Sequence, residues 1–439
     1  MIGPQWQEVD VQLGADPDVV VVGAGLAGLA CALELQDAGL RVQVLEAQDE
    51  VGGRVRTDEV DGFRCDRGFQ LLNPAYPRLA ALVDLPALDL RCFDAGVAVP
   101  SSRGTAVLAD PRRSPRHLWS TVRSGYLDPR ELAALLRWAW PAVGDVAGLR
   151  AGRDDEPLAA SLDRAGVHGA LRRGVLEPFL AGVLADDQGR DSAAFVRLLL
   201  RSFLLGTPGV PATGMAALPR QLAARLRTPV RCGVRVARVD GAAGARQPHG
   251  AAGARQLRTS HGGLAARAVV VATDGRSAQQ LTGLDAPPAK GLVTWWFAAD
   301  RAPERPALVR VEPHRSVAGP LVNAAVLTAV APAYAPPGRH LVAATALLGP
   351  AGPPPEQQVR AHLARLYRCS VRSWELVVVH EVPQALPVQR TPLRARQPVD
   401  LGDGLFVAGD HRDTASLQGA LVSGRRAARA VVRSLGRAW

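Results

Sequence analysis

The chain has 439 residues, 47% hydrophobic and 21% charged, which excludes a disordered polypeptide and exceeds what one small core needs, so two domains are expected. Lysine and arginine total 52 against 41 acidic residues, a formal charge of +11. The basic residues are almost all arginine, with Lys290 the only lysine, and they are scattered or in short pairs without interleaved aromatics, which argues against a nucleic-acid partner.

Residues 1–18 carry Glu8, Asp10, Asp16 and Asp18, with no basic start and no apolar core of signal length, so no secretory leader is expected. Val19–Val22 reads as a buried strand running into Gly23-Ala24-Gly25-Leu26-Ala27-Gly28 and a helix. A second strand, Arg41–Leu45, ends at Glu46 and Ala47, and Gly52-Gly53-Arg54-Val55-Arg56 follows. A strand, a glycine turn, a helix and an acid at this spacing predict a pocket for an adenine dinucleotide. Gly23 makes the tight turn, Gly25 lets the backbone approach the pyrophosphate, and Gly28 lets the helix pack on the strand. The helix N-terminus holds a diphosphate without a basic side chain. Glu46, 18 residues after Gly28, can accept from a ribose diol, which argues against a 2′-phosphate and so against NADP.

Asp66-Arg67-Gly68-Phe69-Gln70 comes next, and helical patterns fill Pro111–Leu205, for example over Pro129–Trp140 and Asp191–Leu205. Phe195–Leu205 is apolar with Arg197 and Arg201 four apart; it reads as a core or lid helix and leaves peripheral membrane contact open. No apolar run reaches the about 18 residues of a membrane span. Met215–Leu226 reads as a helix after a turn at Gly214, and Pro229–Val239 as a strand pair. The heptapeptide at 241–247 recurs at 250–256 and reads as a duplicated hairpin loop. Ala268–Thr273 is a buried strand. From Leu284 to Arg396, the strands Leu292–Ala298, Val322–Val330, His340–Leu348 and Leu376–Val382 surround one helix, Pro355–Tyr367, and predict an antiparallel or mixed sheet. Gly404–Asp410 reads as a short buried strand ending in Gly409-Asp410, and Ser416 opens a last helix through Leu417 and Ala420. The five cysteines are odd in number and lack a C-x-x-C pair, so buried thiols are expected rather than a disulfide framework or a zinc site.

Gly52-Gly53-Arg54-x-Arg56, Asp66-x-Gly68 and the Gly409-Asp410 strand end together resemble the flavin-containing amine oxidase and phytoene desaturase superfamily, strongly over 17–77 and 400–435 and weakly between. The resemblance implies an α/β fold. A Rossmann-like FAD-binding domain, three-layered around a mostly parallel sheet, would cover 17–90, 207–285 and 397–439. An inserted α+β substrate domain of mixed or antiparallel sheet and helices would cover 91–206 and 286–396. The implied cofactor is non-covalent FAD, since the cysteine nearest before Gly409 is Cys369, and no metal is implied.

The resemblance also assigns roles. Gly52, Gly53 and Arg54 meet the diphosphate, and Gly68, Phe69 and Gln70 lie beside the flavin. Val236 meets adenine through its backbone, and Ala272 ends a strand near the diphosphate. Gly409 and Asp410 meet the ribityl-phosphate, while the helix start at Ser416, Leu417 and Ala420 faces flavin N1 and the C2 carbonyl. Lys290, just before Gly291–Phe297, has the setting of the lysine that holds a water at N5 in amine-oxidising relatives, which makes it the candidate catalytic residue. His411 is a candidate acid or base beside the flavin.

Neither His380–Pro387 nor Asp410–Ser416 contains the Trp or Tyr of an amine-oxidase aromatic pair, which favours the desaturase side of the superfamily. The implied function is an FAD-dependent oxidoreductase that moves a hydride from a C–H bond of a small, apolar substrate to flavin N5. A redox-neutral isomerase of the carotenoid-isomerase type and an amine oxidase stay as alternatives, and the electron acceptor is left unassigned. A cytoplasmic location is expected, with peripheral membrane contact open.

Overall fold

A computed structural model describes residues 17–101, 104–240, 254–313 and 319–437. They form two compact units: one runs to Val55 and adds Leu218–Pro287 and the chain from Arg396, the other comprises Arg56–Ala217 and Pro288–Ala395. Residues 56–90, grouped from sequence with the FAD-binding domain, thus pack within the second unit.

The first unit is built on a parallel sheet in the order Leu405–Val407, Ala268–Val271, Val19–Val22, Val42–Leu45. All four valines of Val19–Val22 are buried, as expected where both faces of a strand are covered. The helices Leu26–Asp37 and Leu417–Ser434 pack tightly together: a Cβ on Gly424 would stand 2.2 Å from the Ala27 carbonyl oxygen. Val20 and Val22 share a core with Leu257 and Leu264, which belong to an antiparallel sheet ordered Gly262–Ala266, Arg255–Thr259, Val236–Asp240. The result is the three-layer α/β arrangement.

The second unit holds a seven-stranded sheet in the order Glu375–Pro387, Ala289–Ala299, His340–Leu348, Leu321–Val326, Val309–Arg310, Gly96–Ser101, Gly104–Ala109. Its pairs are antiparallel except Val309–Arg310 with Gly96–Ser101. The helix Glu356–Tyr367 buries Val359, Leu363 and Leu366 against Val293, Trp295 and Phe297 of that sheet. Further helices include Pro129–Ala139, Leu158–Arg164, Glu177–Leu184 and Ala193–Leu205.

Several local expectations are corrected. Pro229–Val239 is not a strand pair: Arg231 makes one bridge to Leu45, Gly233 turns the chain at φ +75°, and only Val236–Asp240 is a strand, pairing with Arg255–Thr259. Val322–Val330 is a strand only to Val326, after which Leu327–Val330 closes a helical turn; a run buried on every side carries no period to separate the two. The helix after Gly214 is confined to Ala217–Ala223. Cys92 and Cys232 are exposed, whereas buried thiols were expected; none of the five cysteines is in a disulfide. Within the apolar Phe195–Leu205 stripe, Phe195, Val196 and Leu199 are buried core, Leu198, Leu200 and Phe203 are half-buried, and Leu204 and Leu205 are exposed. Among the described residues no helix is long and apolar enough to cross a membrane. The leader expectation on 1–16 and the repeat over 241–253 lie outside the described residues.

Candidate functional site

The glycines after Val22 lie at the carboxyl end of the parallel sheet, where open α/β sheets bind ligands. Gly23 sits at φ +103°, and a Cβ there would come 2.8 Å from the Ala272 carbonyl oxygen. On Gly28 a Cβ would stand 1.9 Å from the Gly23 oxygen, so this residue is fixed by helix-on-strand packing. Gly25 differs, because the nearest atom to its added Cβ is Gly52 O at 4.0 Å. Packing within the protein therefore does not require a glycine there.

The helix Leu26–Asp37 starts at Gly25 with no side-chain cap, which leaves its positive end to an anion. Gly52 donates its N–H to Ala24 O at 2.9 Å, and a Cβ on Gly53 would lie 3.4 Å from Gly25 Cα, so the two glycine segments are held against each other. Glu46 is buried; its Oε2 accepts from the Ala24 N–H at 2.7 Å and Oε1 from the Gln48 N–H at 2.9 Å. Ala47 is half-buried next to it, and Val236 is buried at the start of its strand.

The C-terminal motif joins this cluster through Arg54, whose Nη2 donates to Asp410 Oδ1 at 2.6 Å. The Asp410 carboxylate raises the guanidinium's already high basicity, against the opposing effect of burial, and Asp274 adds to it. Asp274 caps the helix Gly275–Thr282, accepting from the Arg276 and Ser277 N–H groups. Gly409, at φ +153°, donates to Ser423 Oγ at 2.8 Å. Ser416 caps the last helix by accepting from the Gly419 N–H at 3.0 Å, and Ala420 donates to Ser416 O, which fixes the helix start at Leu417.

His411 fills the space that a side chain on Gly409 would take: a Cβ there would lie 2.3 Å from the imidazole. The ring is buried, and among the described residues neither nitrogen has a hydrogen-bond partner. Burial pushes its pKa down to about 4, with Arg412 and Arg54 acting the same way and Asp410 and Asp274 opposing. A histidine whose folded value lies below its unfolded 6.5 is stabilising above pH 6.5 and loses that contribution as pH falls toward 4. The expected loss reaches roughly 3 kcal/mol once the native ring is itself protonated, below about pH 4. Urea unfolding at pH 7 and pH 4.5 should show His411→Asn retaining stability that the parent loses; equal losses would refute this origin.

Gly68, Phe69, Gln70 and Lys290 belong to the second unit. Gly68 adopts φ +92°, Phe69 packs edge-on against Phe93 with ring centroids 6.1 Å apart, and Gln70 donates Nε2–H to Arg67 O at 3.0 Å. Just before them, the buried Asp66 accepts from the Thr57 hydroxyl, the Met215 N–H and the Tyr334 hydroxyl, while burial pushes its pKa up to about 6. Lys290 enters the strand Ala289–Ala299 and forms an ion pair with Asp191, whose side chain is 2% exposed. Burial raises the Asp191 pKa although Lys290 acts to lower it.

Sequence reasoning missed Asp191, Asp274 and Ser423. Asp274 carried a usable signal, an Asp directly before a helix; Ser423, in the middle of a helix, and Asp191 carried none.

The residues present fit an adenine dinucleotide: an uncapped helix N-terminus, an unobstructed Gly25, a buried carboxylate at Glu46 and the Arg54–Asp410 pair lie within one unit. Comparison with known proteins names the group more narrowly. The family model described as flavin containing amine oxidoreductase matches residues 26–432. The putrescine oxidase of Kocuria rosea is 54% identical over 72 residues, 16% of this chain and 15% of that protein. The phytoene dehydrogenase of Streptomyces griseus is 62% identical over 54 residues, 12% of this chain and 11% of that one. These alignments therefore span well under a fifth of the curated relatives' lengths. The crystal structure of cyclohexylamine oxidase from Brevibacterium oxydans IH-35A superposes with a TM-score of 0.69 at 17% identity, covering 96% of this chain and 100% of that one.

Proposed function

Because the chain belongs to the flavin-containing amine oxidoreductase family and is an FAD-dependent oxidoreductase, we propose that it takes a hydride from a C–H bond of an apolar, desaturase-like substrate. Bound FAD supplies the hydride acceptor, flavin N5. The observation that carries the cofactor half of this reading is the convergence of Gly25, Glu46, Arg54 and Asp410 in one unit.

In this reading the functional division of the chain follows 17–90, 207–285 and 397–439 for FAD and 91–206 and 286–396 for substrate. The Gly25 backbone and the helix end after it hold the diphosphate, Gly52, Gly53 and Arg54 close over it, and Glu46 accepts from the ribose. Val236 meets adenine, and Ala272 lies beside the diphosphate. Asp410, oriented by Arg54, accepts from the ribityl chain together with Gly409. The helix start at Ser416, Leu417 and Ala420 favours negative charge and so stabilises the reduced flavin. Gly68, Phe69 and Gln70 border the isoalloxazine, and Lys290 Nζ, anchored by Asp191, is the candidate catalytic group that holds a water.

Two observations support the apolar substrate: the segments around His380 and Asp410 lack Trp and Tyr, and a 54-residue segment is 62% identical to a phytoene dehydrogenase. The five cysteines, none of them in a disulfide, fit a reducing compartment, so a cytoplasmic location belongs to the same reading.

The test is anaerobic mixing of the yellow holoprotein with a linear polyene precursor or with aliphatic amines and diamines. Bleaching of the flavin band by the polyene alone is expected. Bleaching by an amine alone would overturn the apolar substrate and leave an amine oxidase. Conversion of the polyene only after prior reduction, with no acceptor consumed, would replace net oxidation by isomerisation.

A further inference from the structure

Ten large hydrophobic side chains are exposed among the described residues, and nine of them fall within 118–143 and at 204–205 of the second unit. Trp119 and Trp140 are each 70% exposed, the highest values among them. The helix Pro129–Ala139 explains part of this concentration, because it is apolar on two faces. Glu131, Ala134 and Trp138 point inward, and Ala142 continues that face in the turn Pro141–Gly144. Leu136, Trp140 and Val143, spaced four and three apart, line the outer side. On the short helix Leu118–Val122, Trp119 and Val122 stand three apart and are likewise exposed.

Hydrogen bonds gather these pieces around the end of the helix Ala193–Leu205, which contributes the exposed Leu205. Arg201 Nη1 donates to Ala142 O at 3.0 Å, and Arg113 Nη2 donates to Phe203 O at 2.8 Å. An apolar patch built on hydrogen-bonded elements, rather than on loose loop tips, marks an interaction surface.

The charge around the patch selects the partner. Arg112, Arg113, Arg116, Arg123, Arg130 and Arg137 are all exposed within the same stretch. The carboxylates at its borders are Asp94, Asp110, Asp128 and Asp145, fewer than the six arginines, whereas Glu131 is buried and accepts the Gly169, Leu171 and Arg172 N–H groups. The Arg123 guanidinium lies 5.6 Å from the centroid of the Trp119 ring, an amphipathic pair suited to the lipid–water boundary. A second copy of this chain would set two arginine-rich faces against each other, and an anionic surface would neutralise them.

We propose that the face formed by Trp119, Val122, Leu136, Trp140, Val143 and Leu205 docks peripherally on an anionic phospholipid bilayer, with the surrounding arginines on the headgroups. This surface is distinct from the Phe195–Val196–Leu199 stripe, which is buried. It does not depend on the FAD-site assignment or on the identity of the substrate.

The experiment is co-sedimentation of the full-length holoprotein with vesicles of phosphatidylcholine alone, or of phosphatidylcholine mixed with phosphatidylglycerol, at low and high salt. Binding to the mixed vesicles that weakens with salt is expected. The Trp119→Ser/Trp140→Ser double variant, altered at two exposed positions and retaining bound flavin, should bind about tenfold more weakly or not at all. Absence of binding to either vesicle, or unchanged binding of the double variant, overturns the proposal. A concentration-dependent dimer that the double variant abolishes, without vesicle binding, would also overturn it and assign the face to a second copy.

Discussion

Replacing Gly25 by valine should give a folded protein that is purified without its yellow colour. The backbone at Gly25 is extended, φ −71° and ψ 177°, which valine adopts without strain. A Cβ there meets nothing nearer than Gly52 O at 4.0 Å, so circular dichroism and the unfolding midpoint should stay close to the parent apoprotein. The branched side chain would instead stand where the diphosphate approaches the helix N-terminus. Losing one or two charge-assisted hydrogen bonds, each worth about 1.5–3 kcal/mol, weakens FAD on the order of 100-fold, as read by titrating the apoprotein with FAD. Gly28→Val is the contrasting case. Its Cβ would lie 1.9 Å from the Gly23 oxygen, so the fold and FAD binding should fail together. Near-parental FAD affinity in Gly25→Val would remove the diphosphate from this turn.

The second large effect is expected at Lys290. Lys290→Met leaves the buried Asp191 carboxylate without its cation, with the Gln389 N–H at 3.3 Å as a long remaining donor. Breaking a buried pair from one side costs about 3–5 kcal/mol, whereas removing both charges is far milder. The Lys290→Met/Asp191→Asn variant should therefore recover most of the stability lost by Lys290→Met, measured by denaturant unfolding at pH 7. That stable double variant isolates the chemistry. If Lys290 holds the water at flavin N5, the double variant should reduce its flavin at least about 100-fold more slowly at saturating substrate, with little change in KM. A parental rate in the double variant would make the Lys290–Asp191 pair purely structural.

The turn, helix and strands of the first unit were legible because their requirements are local. A tight turn at positive φ, a glycine that lets a helix touch a strand, and an acid at the end of the next strand are stated by residue type and spacing within Val19–Glu46. The final strand and Ser416-capped helix were legible for the same reason. Pro229–Val239 misled because alternating apolar residues read as paired strands, while their partners are Leu45 and Arg255–Thr259.

By itself, then, the sequence determined the glycine turn, the family and the FAD cofactor, each of which rests on short contiguous motifs. Tertiary structure alone decided that Arg54 meets Asp410 from 356 residues away, that Lys290 meets Asp191 from 99 away, and that His411 is buried against Gly409. It also decided which apolar side chains face outward, since the buried Phe195 and the exposed Trp140 look alike in composition. Burial, and the charge that burial permits, is a property of where distant segments converge, and no local spacing encodes it.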